Sequence, residues 1–363
     1  MNFCEMRLPN GRKKLIIRYK VKNEEAYTMK VYQKALVVAG LCVSMAAGLV
    51  GCGSKTLDGS QTVATVGEKT ITLGEANFLL RYQQAETESY YEQMLGEGFY
   101  NMDLMGTGEA YGETVKGDVM TQLQEYCILE DKAADFGVAL TEEETAKITE
   151  VATAFLDANS DETKAQMTAD QATVERVLTL MTVGMRTANM VAAEADITVT
   201  DEEAAQRGFS YVSVSKGSGD TALSEDEVQA AKDQLNAVAA SVASGNTMDA
   251  AAVEQGLSAY SGNYGEGNSS SYATEIITAL DAMAEGEVSE IIETETMLYL
   301  VQLTAEFDEE ATAERKESLM ASKQSEYYNE VMEGWKADYP LTIEEAVWAD
   351  VKFNNSYELV TAE

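Results

Sequence analysis

Helix start signals constrain this chain more than any other feature of its sequence. In each signal a Ser or Thr stands three residues before a Glu, so its hydroxyl can accept from a backbone N–H of the first turn. The carboxylate can in turn accept from the N–H of the cap residue. The motif occurs at Thr72/Glu75, Thr141/Glu144, Thr200/Glu203, Ser224/Glu227 and Thr342/Glu345. With only two prolines in 363 residues, a chain with so many helix starts is predicted to be helix-rich along most of its length.

Residues 29–52 have the pattern of a secretory signal. Lys30 and Lys34 precede an apolar run over 35–50, and small residues lead up to Cys52. The ending Leu-Val-Gly-Cys resembles the lipobox of bacterial lipoproteins, in which cleavage before the cysteine is followed by acylation of its thiol. The resemblance implies lipidation of Cys52 and attachment to the extracytoplasmic face of the cell membrane. The alternative is a signal-anchor helix in which Cys52 is incidental.

The charge balance argues against polyanions as partners. Asp and Glu number 62 and Lys and Arg 26, a net charge of −36, so nucleic acids and anionic lipid headgroups are repelled. The chain contains no histidine, and therefore neither a conventional zinc site nor a Ser-His-Asp nucleophile can be assembled. We expect no metal and no cofactor.

A single cysteine remains once the leader is set aside. Cys4 and Cys42 fall within residues 1–51 and Cys52 is the predicted lipidation site, which leaves Cys127. A disulfide within the mature chain is therefore not possible. Cys127 lies on an apolar helical stripe and is predicted to be a buried thiol, the alternative being an exposed reactive one.

The pattern of apolar residues changes near residue 205. Up to that point a short hairpin over 62–72 is followed by helices. Beyond it come a strand over 209–214, helices over 224–244 and 248–255, a Gly/Ser-rich loop over 256–272, a helix over 275–284 and a hairpin over 286–303. The order β-α-α-α-β-β predicts a compact α+β module. A long charged helix over 308–337 and a strand-like run over 347–353 are predicted to follow.

Two segments carry a resemblance to a known family. GEVSEIIET followed by MLYLVQL, within 286–303, is similar to the closing Gly-Glu-Val-Ser and Gly-Tyr-His strand of parvulin-type peptidyl-prolyl isomerases. ATVGEKTITLGEA, within 64–76, resembles the strand pair that opens the helical domain of PrsA and SurA foldases. The resemblance implies an α+β fold with four parts. They are an upstream extension and signal peptide (1–51), a SurA-N-like helical chaperone domain (52–204), a parvulin-like module (205–306), and a C-terminal helix and strand that complete the chaperone domain (307–363).

The family's catalytic cluster, two histidines with an aspartate or cysteine, is not present here. The first histidine position falls on Tyr211 and the second on Tyr299, and residues 256–264 contain neither acid nor thiol. The two tyrosines either form a hydroxyl pair across neighbouring strands or are core aromatics. The resemblance further implies an apolar proline pocket that involves Tyr272, Ile276 and Met283.

We therefore expect a membrane-anchored extracytoplasmic foldase that binds unfolded or nascent exported polypeptides, with isomerase activity weak or lost. A fully active isomerase is one alternative, and it requires Tyr211 and Tyr299 to replace the histidine cluster. A solute-binding lipoprotein of a transporter is another. That class needs strands and helices that alternate through two lobes, which the predicted order does not supply.

Overall fold

The computed structural model describes residues 41–45, 57–219 and 222–361. They form two compact units. Unit 1 contains the described residues up to Val191 and those from Val331 onwards, and unit 2 runs from Ala192 to Glu330. Cys52 and most of the predicted signal segment lie outside the described residues.

Each unit combines helices with strands. Unit 1 contains β1 (Leu41–Met45), β2 (Thr62–Val66), β3 (Lys69–Thr72), α1 (Leu73–Leu95), α2 (Tyr111–Lys132), α3 (Glu142–Ala158), α4 (Asp161–Gln166) and most of α5 (Gln171–Ala193). Unit 2 contains α6 (Asp201–Ala204), β4 (Gln206–Ser215), α7 (Glu225–Ala243), α8 (Met248–Glu254), β5 (Ala259–Gly265), α9 (Thr274–Asp281), β6 (Ile292–Glu293), β7 (Met297–Ala305) and most of α10 (Glu309–Lys336). Unit 1 is completed by β8 (Leu341–Ile343), α11 (Glu345–Trp348) and β9 (Tyr357–Thr361). The predicted α+β class is confirmed.

The helix start signals are confirmed at four of their five positions. Thr72, Thr141, Thr200 and Ser224 each form a reciprocal capping box with the Glu three residues later. The prediction at Thr342 was wrong. Its backbone pairs with Thr65 in β2 as part of β8, and the next helix begins at Glu345. Ladder pairing with a sheet edge satisfies this backbone before a helix can start.

The core of unit 1 lies among its long helices and the sheet ordered β3-β2-β8. Phe78 of α1 and Phe155 of α3 are both buried and meet edge to face, with ring centroids 5.4 Å apart. Cys127 is buried on α2, and burial raises the pKa of its thiol to about 11. The prediction of a buried, unreactive thiol is therefore confirmed, because only the thiolate is a strong nucleophile.

The C-terminal segment is bound by a polar face of α1. The prediction of a strand over 347–353 was wrong, since residues 345–348 are helical and the strand comes at Tyr357. Three buried polar side chains of α1 bind the backbone of this segment. Arg81 Nη2 donates to Lys352 O at 2.6 Å and Gln84 Nε2 donates to Asn355 O at 2.9 Å, while Glu88 Oε2 accepts from Tyr357 N at 2.6 Å. These bonds satisfy an irregular backbone that apolar periodicity does not reveal.

One part of the predicted signal segment is described. Leu41–Met45 forms β1, which pairs antiparallel with Tyr357–Thr361. No helix among the described residues is both long and apolar enough to cross a bilayer.

Unit 2 is built on an antiparallel sheet ordered β5-β4-β7-β6. The predicted strand, helices and closing hairpin of the module are confirmed, with Gly286 N bonded to Leu303 O at 2.7 Å. The prediction of a structureless loop over 256–272 was wrong. Ala259–Gly265 forms β5 and pairs with residues 206–212 of β4, which gives the order β-α-α-β-α-β-β.

Candidate functional site

The two faces of the unit 2 sheet carry different side chains. Val212 of β4 and Leu298 and Leu300 of β7 point to one face, where they pack with apolar residues of α7 and α8. Phe209 and Tyr211 of β4 and the β7 residues Tyr299, Val301 and Leu303 belong to the opposite face, where α9 packs. The division follows from the two-residue period of a strand.

Helix α9 packs on this second face. Ile276 and Leu280 of α9, with Met283 just beyond it, pack with Phe209 and Leu303. Ile276 is 3% exposed and Met283 9%. Three residues were predicted to form a proline pocket. Ile276 and Met283 are buried in the core, and Tyr272 has a partly exposed side chain.

Several of the partly exposed side chains of this face are tyrosines. Tyr211 and Tyr299 are partly exposed, and their ring centroids lie 6.4 Å apart. Tyr260 of β5 is directly opposite Tyr211 in the ladder, is 53% exposed, and has its ring centroid 5.5 Å from that of Tyr211. The structure thus brings together, on neighbouring strands, the two tyrosines that the resemblance assigns to the histidine positions. We call Tyr211, Tyr260, Tyr272 and Tyr299 the tyrosine face.

Among the described residues, no polar group orients the hydroxyls of Tyr211 and Tyr299. Within the part of the chain that the structure describes, neither Tyr211 nor Tyr299 makes a side-chain hydrogen bond, and a ring distance of 6.4 Å is one of packing. Burial, and then the neighbouring Tyr211, raise the pKa of Tyr299. The Tyr299 phenol is therefore neutral at physiological pH, and each of the two hydroxyls can donate one hydrogen bond.

Gly262 makes room for Tyr272 on this face. It lies opposite Phe209 in the ladder. A Cβ atom at position 262 would lie 2.5 Å from Tyr272 Oη and 2.9 Å from Phe209 Cζ. The Tyr272 ring also meets Phe209 edge to face at 4.9 Å. The absence of a side chain at Gly262 is what allows Tyr272 to lie across β5.

A polar cluster that sequence analysis missed fastens α9 to the sheet. Arg207 Nη1 donates to Tyr264 Oη at 2.7 Å, and Tyr264 Oη donates to Asp281 Oδ1 at 3.1 Å. Arg207 Nη2 also donates to Met283 O at 3.2 Å. Three residues so far apart in sequence share no local pattern, so only their meeting in the fold identifies the cluster.

We expect Tyr264→Phe to lower the free energy of unfolding of unit 2 by about 2 kcal/mol, because the buried hydroxyl bonds two charged groups. Tyr260→Phe is the matched control. Its side chain is half exposed and makes no hydrogen bond among the described residues, so we expect less than about 0.5 kcal/mol. Urea unfolding monitored by fluorescence measures both, and equal losses would contradict the assigned role of the Tyr264 hydroxyl.

A separate cleft of about 460 Å³ lies beside the start of α7. Lys216 Nζ and Lys232 Nζ both contact the Glu293 carboxylate in this cleft, at 3.0 and 2.5 Å. These lysines lower the pKa of Glu293. Since the Glu293 carboxylate bridges the two ammonium groups and none of the four tyrosines lines the cleft, it is an ion-pair site apart from the tyrosine face.

Residues 214–305 match the family model of the rotamase family, described as the PPIC-type PPIASE domain. The matched segment begins at the last two residues of β4, after Tyr211, and ends with β7, so it includes β5 to β7, α7 to α9, and Tyr260, Tyr272 and Tyr299. No curated protein matches the chain.

Solved structures of foldases are similar to this chain at low identity. Foldase protein PrsA from Streptococcus pneumoniae is 14% identical, with 81% of this chain and 99% of that chain covered and a TM-score of 0.30. PrsA from Bacillus cereus is 15% identical, with 82% and 98% covered and a TM-score of 0.27. A SurA-like chaperone of Campylobacter jejuni is 9% identical, with 78% and 98% covered and a TM-score of 0.27. The matched domain and the geometry of unit 2 are therefore the basis for assigning a function.

Proposed function

We propose that the chain is an extracytoplasmic foldase that binds unfolded exported polypeptides, because residues 214–305 match the family model of the PPIC-type PPIASE domain. The tyrosine face is the proposed binding surface. The observation that carries the proposal is that Tyr211 and Tyr299 are partly exposed on one face of the sheet, with ring centroids 6.4 Å apart. They are the residues that the family resemblance assigns to the two histidine positions. Aromatic side chains supply large contact area at low entropic cost, which suits a surface that binds many sequences.

The proposed activity is binding with little or no isomerisation. Rotation about an X-Pro bond has a barrier of about 20 kcal/mol, and catalysis requires polar groups held in place to favour the twisted amide. No hydrogen bond from a described residue orients the phenols of Tyr211 and Tyr299. The basic side chain of the adjacent polar cluster, Arg207, already donates to Tyr264 and Met283.

Two assays test the proposal on the purified chain. Chromogenic X-Pro peptides measure turnover, and suppression of aggregation of an unfolded test protein measures binding. We expect suppression of aggregation at near-stoichiometric ratios with turnover at or near the uncatalysed rate. Failure to suppress aggregation together with absent turnover would remove the proposed function.

The double substitution Tyr211→Phe/Tyr299→Phe separates binding from catalysis. We expect peptide affinity and turnover to change by less than about twofold, because the rings remain and no described residue is a hydrogen-bond partner of the two hydroxyls. Tyr211→Ala/Tyr299→Ala removes the rings and is expected to weaken binding of an extended Pro-containing peptide by at least tenfold, or about 1.4 kcal/mol. Tyr327→Phe in α10 is the control for loss of a phenol elsewhere. A large loss of turnover in the phenylalanine variant would show that the hydroxyls are catalytic and that the chain is an active isomerase.

We further propose that Cys52 is acylated and holds the chain at the outer face of the membrane. The lipobox-like Leu-Val-Gly-Cys sequence supports this proposal. Mass spectrometry of the mature N-terminus tests it directly, with a diacylglyceryl-modified cysteine as the expected product. Cys52→Ala is expected to release the chain from the membrane fraction, and unchanged fractionation would contradict lipid anchoring.

A further inference from the structure

Large apolar side chains are concentrated on the surface of one short part of unit 1. Seven residues within 90–105 are exposed, with exposed fractions from 36% to 69%. They are Tyr90, Tyr91, Met94, Leu95, Met102, Leu104 and Met105, and we call them the Met-Tyr patch. Over the described residues, the other large apolar side chains at this level of exposure are scattered singly between positions 190 and 320. Exposed apolar side chains concentrated in one segment in this way point to an interaction site.

The Met-Tyr patch stands on a rigid aromatic base. Phe99 and Tyr100 are buried, and their rings stack with centroids 4.1 Å apart. Tyr91 is joined to this base through Phe99 at 6.0 Å, and Tyr100 stacks on Phe353 at 4.4 Å. The core next to the patch is therefore occupied by aromatic rings, and the patch residues of α1 lie outside it.

The loop that carries the other patch residues is held in shape by local hydrogen bonds. The Asp103 carboxylate accepts from Thr107 N at 3.0 Å and from Gly108 N at 2.8 Å. Met102 O accepts from Leu104 N at 3.1 Å and from Tyr111 N at 2.8 Å. These bonds hold the loop in a conformation that exposes Met102, Leu104 and Met105 to solvent. Exposure of their apolar surface to water is unfavourable in free energy.

The charge around the patch is of one sign. Between Arg81 and Lys116 the chain has seven acidic residues and no basic one. Glu97, Asp103 and Glu109 are exposed within or beside the patch. Such a surface repels anionic lipid headgroups and also repels a second copy of a chain whose net charge is −36.

We propose that the Met-Tyr patch is a second polypeptide-binding surface, which takes extended segments in which large apolar residues are interspersed with Lys or Arg. Unbranched Met and amphipathic Tyr adapt to different apolar side chains, while the surrounding carboxylates attract the basic residues. This inference concerns unit 1 and does not depend on the parvulin-type module or on proline in the bound segment.

A proline-free peptide tests the patch separately from the tyrosine face. The probe is a fluorescein-labelled 15-residue peptide of alternating Leu, Phe and Lys, and binding to the purified full chain is measured by anisotropy. Met94→Gln/Met105→Gln removes apolar contact without a change of charge, and Met190→Gln/Met320→Gln is the matched control at two exposed methionines elsewhere. We expect at least tenfold weaker binding for the patch variant and less than twofold change for the control.

A charge arm completes the test. Glu97→Gln/Glu109→Gln is expected to weaken binding of the Lys peptide about threefold and to reduce its salt dependence, whereas the same peptide with Glu for Lys should bind at least tenfold more weakly to the parent chain. Circular dichroism confirms that the variants fold. Equal affinities of the patch variant and the control would overturn the proposal, and so would equal binding of the acidic peptide. Concentration-dependent self-association that the patch variant abolishes, without peptide binding, would overturn it in favour of a second copy. Tyr211→Ala/Tyr299→Ala is expected to bind the proline-free peptide as the parent chain does, which supports a site distinct from the tyrosine face. Failure of the proposed function at the tyrosine face can therefore be distinguished from failure of the Met-Tyr patch.

Discussion

Gly262→Leu is expected to lower the free energy of unfolding of unit 2 by about 3 kcal/mol and to abolish peptide binding at the tyrosine face. The first atom of any side chain at this position would lie 2.5 Å from Tyr272 Oη and 2.9 Å from the Phe209 ring. Overpacking of this kind costs about 1–3 kcal/mol, and leucine adds three more carbons. Relief of the clash requires Tyr272 to leave the face, which removes part of the proposed surface. Urea unfolding and peptide anisotropy measure the two effects.

Ser261→Leu is the matched control for this substitution. Ser261 precedes Gly262 in the same edge strand and is exposed, so the same leucine there is expected to cost less than about 1 kcal/mol. Adding Tyr272→Ala to Gly262→Leu should restore part of the lost stability, because it removes the nearer of the two clashing groups. Full stability of the single Gly262→Leu variant would show that the face is not packed as described.

Local signals in the sequence were sufficient for most of the helices. The capping boxes at Thr72, Thr141, Thr200 and Ser224 depend on atoms within one turn, so tertiary structure does not alter them. Thr342 carries the same letters but lies next to the free edge of β2, and pairing with that edge prevailed. A local motif therefore predicts correctly until a distant segment offers the same backbone a complete set of hydrogen bonds.

Strand β5 was missed for a related reason. Its sequence, Ala-Tyr-Ser-Gly-Asn-Tyr-Gly, has the composition of a loop. Both of its glycines stand where neighbours approach closely. Gly262 lies beneath Tyr272, and Gly265, at the end of the ladder, lies against Ala205 O and the Gln206 side chain. Glycine in a strand marks close approach of other groups, and that approach is known only once the partner is in place.

The sequence indicated which strands carry the candidate site, but not which of its residues are buried. The strand pattern and the family resemblance identified Tyr211 and Tyr299, and the structure places them together on one face. The burial of Ile276 and Met283 depends on how α9 lies on the sheet, which no residue spacing specifies. The Met-Tyr patch carried no signal because an apolar residue at the end of a helix has the same letters whether it is covered or exposed.

The pH dependence of stability is expected to be flat near neutrality. Without histidine the chain lacks the one side chain whose ordinary pKa lies between about 5 and 8. The lone described thiol outside the predicted leader, Cys127, has its pKa raised to about 11 by burial. We expect the free energy of unfolding to stay nearly constant between pH 7 and about pH 8, where a histidine-rich protein of similar size would show a slope. Above about pH 8.5 it begins to fall, because the thiol of the unfolded chain ionises while the buried Cys127 thiol keeps its proton.

Above about pH 10 both units are expected to lose stability steeply. Burial and a bond to Asp281 raise the pKa of Tyr264 to about 12, and burial raises that of Tyr100 to about 12, whereas a phenol in the unfolded chain has a pKa of about 10. Between these values the unfolded chain releases a proton that the folded chain keeps, so the stability present below pH 10 is lost as pH rises towards 12. The loss is at most about 1.4 kcal/mol per pH unit for each tyrosine, and solvent screening reduces it where the phenol approaches the surface.

Unit 1 is expected to unfold at the lower pH of the two. In addition to Tyr100, burial raises the pKa values of Tyr82, Tyr126 and Tyr357, all of which lie in unit 1. Absorbance at 295 nm reports phenolate formation, and circular dichroism at the same pH values reports unfolding, so the late-titrating tyrosines should ionise together with loss of helix. Tyr264→Phe removes the Tyr264 contribution and should make only the transition of unit 2 less steep. Ionisation of all tyrosines near pH 10, with the fold intact, would contradict the burial on which this expectation depends.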